Sequence, residues 1–360
     1  MLSRIRSDVE RNARRARNGL KYVGGVDRPQ VGRTPKDVVW KRDKAELWHY
    51  RSDSVDATVR YHPPVLIVMS LVSRSYVLDL FPGNSFVETL MKAGLDVYLA
   101  EWGVADEADS ENTLETYTTE YLPRMVRETC RDAGSDDVTV LGYCYGGVLS
   151  LLMAAADPDL PIRNFMAMAT PTDFTQMGLT TDLVRSGRIS PEDMIDDSGN
   201  VPPDAIRNGF RVVKPTSDIA SYANMWENLW NDEYMEGYQA MGQWARDHVP
   251  FPGATFKQTA QMLIKDNGFI NDKLTMNGKK ISLKSITCPF INIIAEKDHI
   301  VPVAAAEKLT ALVGSEQAEE LRLKAGHVGL VAGRTAAKVT IPTIIEWIKA
   351  HSDELAPARA

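Results

Sequence analysis

Cysteine is scarce in this chain: three residues in 360, an odd number without the paired spacing of a zinc site. That excludes a disulfide framework and a thiolate metal centre. Long apolar runs are missing too. No stretch approaches the roughly 18 uninterrupted apolar residues of a membrane-spanning helix, so no transmembrane segment is expected. The opening residues, MLSRIRSDVERNARRARNGL, lack the apolar core of a secretory signal, and the chain reads as cytoplasmic. Positive charge is not in excess either. The net charge is −7, which argues against nucleic acid as a partner. What remains is ordinary globular material, 44% apolar and 25% charged, and this rules out a disordered or coiled-coil chain. The length suits a single α/β core carrying an insertion.

The first 36 residues read as a basic helical segment. Seven basic residues (Arg4, Arg6, Arg11, Arg14, Arg15, Arg17, Lys21) stand against Asp8 and Glu10. Leu2, Ile5, Val9, Ala13, Ala16 and Leu20 recur at helical spacing, which predicts a helix laid on the domain by its apolar stripe with the basic face in solvent. From residue 37, DVVWKRDKAELWHYR predicts a hairpin turning near Lys41 to Lys44. Apolar runs at 65–70, 96–102, 137–143 and 164–170 read as strands buried on both faces, as in a parallel sheet. Between them, Leu114, Tyr117, Tyr121, Met125, Val126 and Cys130 share one helical face. Strand–helix alternation of this kind predicts an α/β layered core over 37–170 and 289–360. The 118 residues from 171 to 288 are too many for a crossover and read as a mainly helical cap or lid. Tyr222, Trp226, Trp230, Tyr234, Tyr238 and Trp244 are expected mostly to form the core of that insertion.

The segment VTVLGYCYGGVLSLLMAAA carries the chemistry. A buried strand runs into Gly-Tyr-Cys-Tyr-Gly-Gly and an apolar helix follows, the context of a nucleophile elbow with Cys144 at its apex. The turn strains the central residue, and Gly142 and Gly146 let neighbouring backbone pass while Gly147 brings helix and sheet together. The positive end of the helix favours negative charge at this position. The Tyr145 amide points toward a developing oxyanion. Enzymes built on such an elbow run nucleophile, acid, histidine. Asp298, in AEKDHIVP after the strand 289–295, and His327, in KAGHVGL after the strand 319–325, complete that order at strand C-termini, where α/β sheets place ligands. His299 competes as base but sits on the acid loop. Cys130 and Cys288 read as structural thiols. The loop SLVSRSYVLDL after the strand 65–70 should supply the second oxyanion amide, at Val72.

Together GYCYGG, GLDVYLAEWG, LVSRSYVLDL, AEKDHIVP and AGHVGLVAG resemble the polyhydroxyalkanoate (poly-3-hydroxybutyrate) synthases, over roughly residues 33–350 and best in the class III catalytic subunit. The resemblance implies an α/β-hydrolase fold with a mostly parallel sheet. It also implies polymerisation of (R)-3-hydroxyacyl groups from their coenzyme A thioesters on a Cys144–His327–Asp298 triad. It further implies a polyester granule surface and a second synthase subunit or a homodimer as partners. Two residues depart from the family's pattern: Tyr145 stands where glutamine is more usual, and Ser73 where asparagine is common. No metal or redox cofactor is expected, coenzyme A entering only as substrate thioester. A hydrolase using the same three residues (thioesterase, dienelactone-type hydrolase or polyester depolymerase) is the alternative, and a non-enzymatic granule-coat protein a second.

Overall fold

Val65, Leu66, Ile67 and Val68 are all inaccessible to solvent, so the strand holding them must be covered on both faces. In the computed structural model, which describes residues 2–25, 29–213 and 224–356, that strand is β3 of the main sheet. The eight principal strands are β1 (Lys36–Arg42), β2 (Ala45–Tyr50), β3 (Tyr61–Val68), β4 (Leu95–Glu101), β5 (Val138–Tyr143), β6 (Ile162–Met168), β7 (Phe290–Ala295) and β8 (Ala318–Leu323). Their order is β1-β2-β4-β3-β5-β6-β7-β8. All pairings from β4 to β8 are parallel. The hairpin β1–β2 adds to β4 antiparallel. The sequence expectation of a mostly parallel α/β sheet therefore holds.

Strand periodicity sorts the interior into two cores. Leu66 and Val68, Val140 and Phe290 face one layer, with Met125 and Val126 of α3 (Leu122–Ala133) and Leu149 and Leu152 of α4 (Tyr145–Ala156). Val65 and Ile67, Leu141, Ile291 and Ile293 face the other, with Leu90 of α2 (Phe86–Lys92) and Ile344 and Ile348 of the last helix, Ile341–Ala350. Successive residues of a strand point to opposite faces, so each apolar run feeds both layers. The stretch Val328–Ala350 is long and apolar enough to cross a membrane by length and composition. It is divided into short helical pieces, and Leu330, Ala336, Ile341 and Ile348 belong to the second core.

Neighbouring strands β6 and β7, with Phe165 opposite Phe290, bracket the long excursion, and among the described residues no strand of the main sheet lies within it. Helices α5 (Leu179–Arg185), α6 (Pro203–Val213) and α7 (Asp232–Trp244) fall here. The segment 253–259 is tied to the core. Thr255 Oγ1 donates to the Asn112 carbonyl at 2.6 Å, and Leu114 N–H donates to Gln258 Oε1 at 2.6 Å.

Two expectations are corrected. The first helix, α1 (Leu2–Gly24), docks by its polar face, not its apolar stripe. Arg17 Nη2 donates to both Asp232 oxygens at 2.6 and 2.8 Å, and buried Asn18 donates to the Leu229 carbonyl at 2.9 Å. The Arg11 guanidinium lies 4.4 Å from the Trp230 ring centroid. Val9, Leu20 and Val23 are 63%, 76% and 86% exposed. The reason is the surface beneath, where a carboxylate and an aromatic face select guanidinium over alkyl groups. For the same reason the aromatic set is not a cap core. Trp244 is buried and Trp226 exposed, while half-buried Trp230, Tyr234 and Tyr238 line the seat of α1. Tyr222 lies outside the described residues, as do the side chains of Leu2, Arg4, Ile5 and Arg6.

Candidate active site

At the end of β5 the chain turns through Cys144 with φ 57° and ψ −125°, and α4 begins at once. Positive φ at a residue with a side chain costs energy, and the surroundings hold it there. The Cys144 amide donates to the Met168 carbonyl at 2.9 Å, and the Cys144 carbonyl accepts from Gly147 N–H at 3.0 Å. A Cβ on Gly146 would lie 2.0 Å from the Val68 carbonyl oxygen, and one on Gly147 would lie 1.9 Å from Thr170 Oγ1. The elbow is thus sterically closed to anything larger than glycine at both positions.

Two loops bring partners to this turn. His327 Nδ1 and Asp298 Oδ2 are 2.6 Å apart, with both side chains buried. The other carboxylate oxygen, Oδ1, accepts the Ile300 and Val301 amides at 2.8 and 2.9 Å, so Asp298 is fully committed. His299 is exposed. Burial is the largest influence on the His327 imidazole and opposes its charge. The electrostatic influence of Cys144, hydrogen bonds to Asp298 and Cys144, and the Asp298 charge outweigh it, and push the imidazole up to about 10. Tyr143 braces the same histidine, its hydroxyl donating to the His327 carbonyl at 3.2 Å. The structure thus pairs His327 with Asp298 at the end of the sheet where the Cys144 elbow turns. The other two thiols lie elsewhere. Cys130 is buried in α3 and Cys288 half-buried before β7, and burial raises each to about 11.

Tyr145 opens α4, and helix geometry leaves its amide without an intrahelical acceptor. The Val72 amide lies 3.4 Å from Ser70 Oγ, a long contact. The loop 69–76 is held from several sides. Trp102 Nε1 donates to the Met69 carbonyl and Trp244 Nε1 to the Arg74 carbonyl, at 2.9 and 2.8 Å. Tyr76 Oη donates to Asp247 at 3.1 Å, and Ser73 bridges to His248. Ser75 hydrogen-bonds Glu101.

Residues 63–333 match the family model for the alpha/beta hydrolase fold. The chain is 34% identical to the poly(3-hydroxyalkanoate) polymerase subunit PhaC of Allochromatium vinosum over 93% of its own length and 94% of that protein. It belongs to the poly(3-hydroxyalkanoate) polymerase family. The corresponding subunit of Haloferax mediterranei is 33% identical over 91% of this chain, which spans 66% of that longer protein. A soluble variant of the Saccharomyces cerevisiae monoglyceride lipase superposes with a TM-score of 0.54, covering 90% of this chain and 97% of the lipase at 13% identity, a likeness of fold alone.

Several residues of this polymerase-family site are invisible to spacing arguments. Tyr143, Trp102, Trp244 and Asp247 reach it through hydrogen bonds, and His248 through a backbone bridge to Ser73, across long sequence separations. His248 in particular reads from sequence as a residue without context, yet it pairs with the loop holding Val72. The only sequence signal was the glycine- and proline-rich segment HVPFPG around it.

Proposed function

We propose that this chain polymerises (R)-3-hydroxyacyl groups from their coenzyme A thioesters through a covalent thioester on Cys144, releasing coenzyme A. The observation carrying this reading is the thiol at the elbow, held at positive φ beside a buried histidine already paired to an aspartate. The Cys144 sulfur attacks the acyl carbonyl. The bond from carbonyl carbon to coenzyme A sulfur breaks, and the His327 imidazolium protonates the departing thiolate. Asp298 fixes the imidazole by its Nδ1 proton. The Tyr145 and Val72 amides receive the carbonyl oxygen as it becomes negative. In the next step a 3-hydroxyl gives its proton to His327 and attacks the acyl-cysteine, forming an oxoester and freeing Cys144.

The choice of sulfur gives the cycle its direction. Thioester-to-thioester exchange is nearly even, so the acyl group stays activated, and only the transfer to hydroxyl runs downhill. A serine at the elbow would hold the unit as an oxoester and lose that driving force. The working enzyme acts on polyester granules in the cytoplasm, with a second subunit or a second copy of the chain, and needs no metal or redox cofactor. The test is incubation with 3-hydroxybutyryl-coenzyme A, measuring coenzyme A release and product size. High-molecular-weight polyester is expected. Free 3-hydroxy acid in its place would make the chain a hydrolase.

A further inference from the structure

The mechanism uses the amide of Tyr145 but not its side chain, and that side chain is tightly constrained. Tyr145 follows Cys144 directly, so the two Cα atoms are about 3.8 Å apart. Its hydroxyl lies 2.5 Å from Thr259 Oγ1. Thr259 gives its own proton to the Thr255 carbonyl at 2.8 Å, which makes Tyr145 the donor. The ring meets Phe251 edge-on, with centroids 5.4 Å apart and planes at 79°. The anchor is itself fixed, since Thr255 Oγ1 donates to the Asn112 carbonyl of the core. Swinging the ring aside would leave a buried hydroxyl without its acceptor, a costly state.

An acyl group on Cys144 with its carbonyl oxygen turned to the Tyr145 amide must run its carbon chain past the first turn of α4. The Tyr145 ring, one residue on from Cys144, belongs to that first turn. We propose that Tyr145 is a specificity-determining residue, its ring pinned by Thr259 and Phe251 as a wall that confines the acyl chain on Cys144 to short 3-hydroxyacyl groups. The inference rests on the acyl-enzyme reading above.

The test is the rate of acyl addition to Cys144, followed by quenched mass spectrometry, with 3-hydroxybutyryl-, 3-hydroxyhexanoyl- and 3-hydroxyoctanoyl-coenzyme A. The wild type is expected to favour the butyryl thioester. In Y145A the butyryl-to-hexanoyl rate ratio should fall at least about tenfold, the scale on which a pocket discriminates methylenes. Y145F and T259V keep the ring but release it, and should lower the ratio about threefold. A Y145A ratio equal to wild type, or a wild type that takes hexanoyl as fast as butyryl, overturns the inference while leaving the acyl-enzyme intact. Should Y145A fail to fold, unchanged ratios in Y145F and T259V overturn it as well. Failure of every thioester to acylate the wild type would instead remove the reading beneath it.

Discussion

Cys144 differs from the other two cysteines by its neighbours, not by its residue type. Cys144→Ala should abolish coenzyme A release, whereas Cys130→Ala and Cys288→Ala should retain turnover with only a packing loss of about 1 kcal/mol. An acylated peptide containing Cys130 or Cys288 would contradict the assignment. Asp298→Asn should leave the fold intact and slow transfer by orders of magnitude, because the group works as a unit. His299→Ala should be nearly neutral, since that side chain is exposed. A second histidine makes a pH prediction away from the site. His49 has Asp96 2.8 Å from one ring nitrogen and Asp132 2.9 Å from the other. Both nitrogens must carry protons to satisfy both carboxylates. Burial opposes that charge, but the hydrogen bond and charge of Asp96, then Asp132, raise its pKa overall. Its stabilisation is therefore complete below the unfolded value of about 6.5 and lost as pH rises through the raised folded value. Urea midpoints of wild type and His49→Gln should differ more at about pH 5.5 than at about pH 9. A gap that widens with pH would reverse the argument.

At the scale of elements, the elbow is where strand, turn and helix constrain one another. Gly146→Ala would drive a Cβ against the Val68 carbonyl of β3, backbone that cannot step aside, and should cost about 3 kcal/mol or more in chemical denaturation. Gly147→Ala meets the Thr170 side chain first. Its cost should therefore shrink by about 1 kcal/mol in a Thr170→Ala background, a coupling that a double-mutant cycle would measure. The seat of α1 rests on fewer groups. The Arg17–Asp232 pair is about half exposed on both sides and contributes little. Asn18 is buried on the Leu229 carbonyl, so Asn18→Ala should release the helix, seen as faster amide exchange confined to α1.

Across the whole molecule, the excursion between β6 and β7 is unevenly fastened. Its segments 244–249 and 253–259 are bonded to the loop 69–76 and to residues 112–114. We expect amides in α5 and α6 to exchange faster than those of 253–259, and to slow when a non-hydrolysable acyl-coenzyme A binds. Uniform, sheet-like protection throughout would mean that substrate enters without movement of this region.

The sheet, its two-faced burial and the pairing of Asp298 with His327 were legible in the sequence. Apolar period, glycine spacing and chain order are local properties that each residue carries with it. The docking face of α1 was not legible, because a helix chooses its face by what lies beneath, and Asp232 and Trp230 are some 215 residues away. Nor were the bonds of Tyr143, Trp244 and Tyr145. One hydrogen bond between distant residues leaves no periodic trace, and only the folded chain decides which donor meets which acceptor.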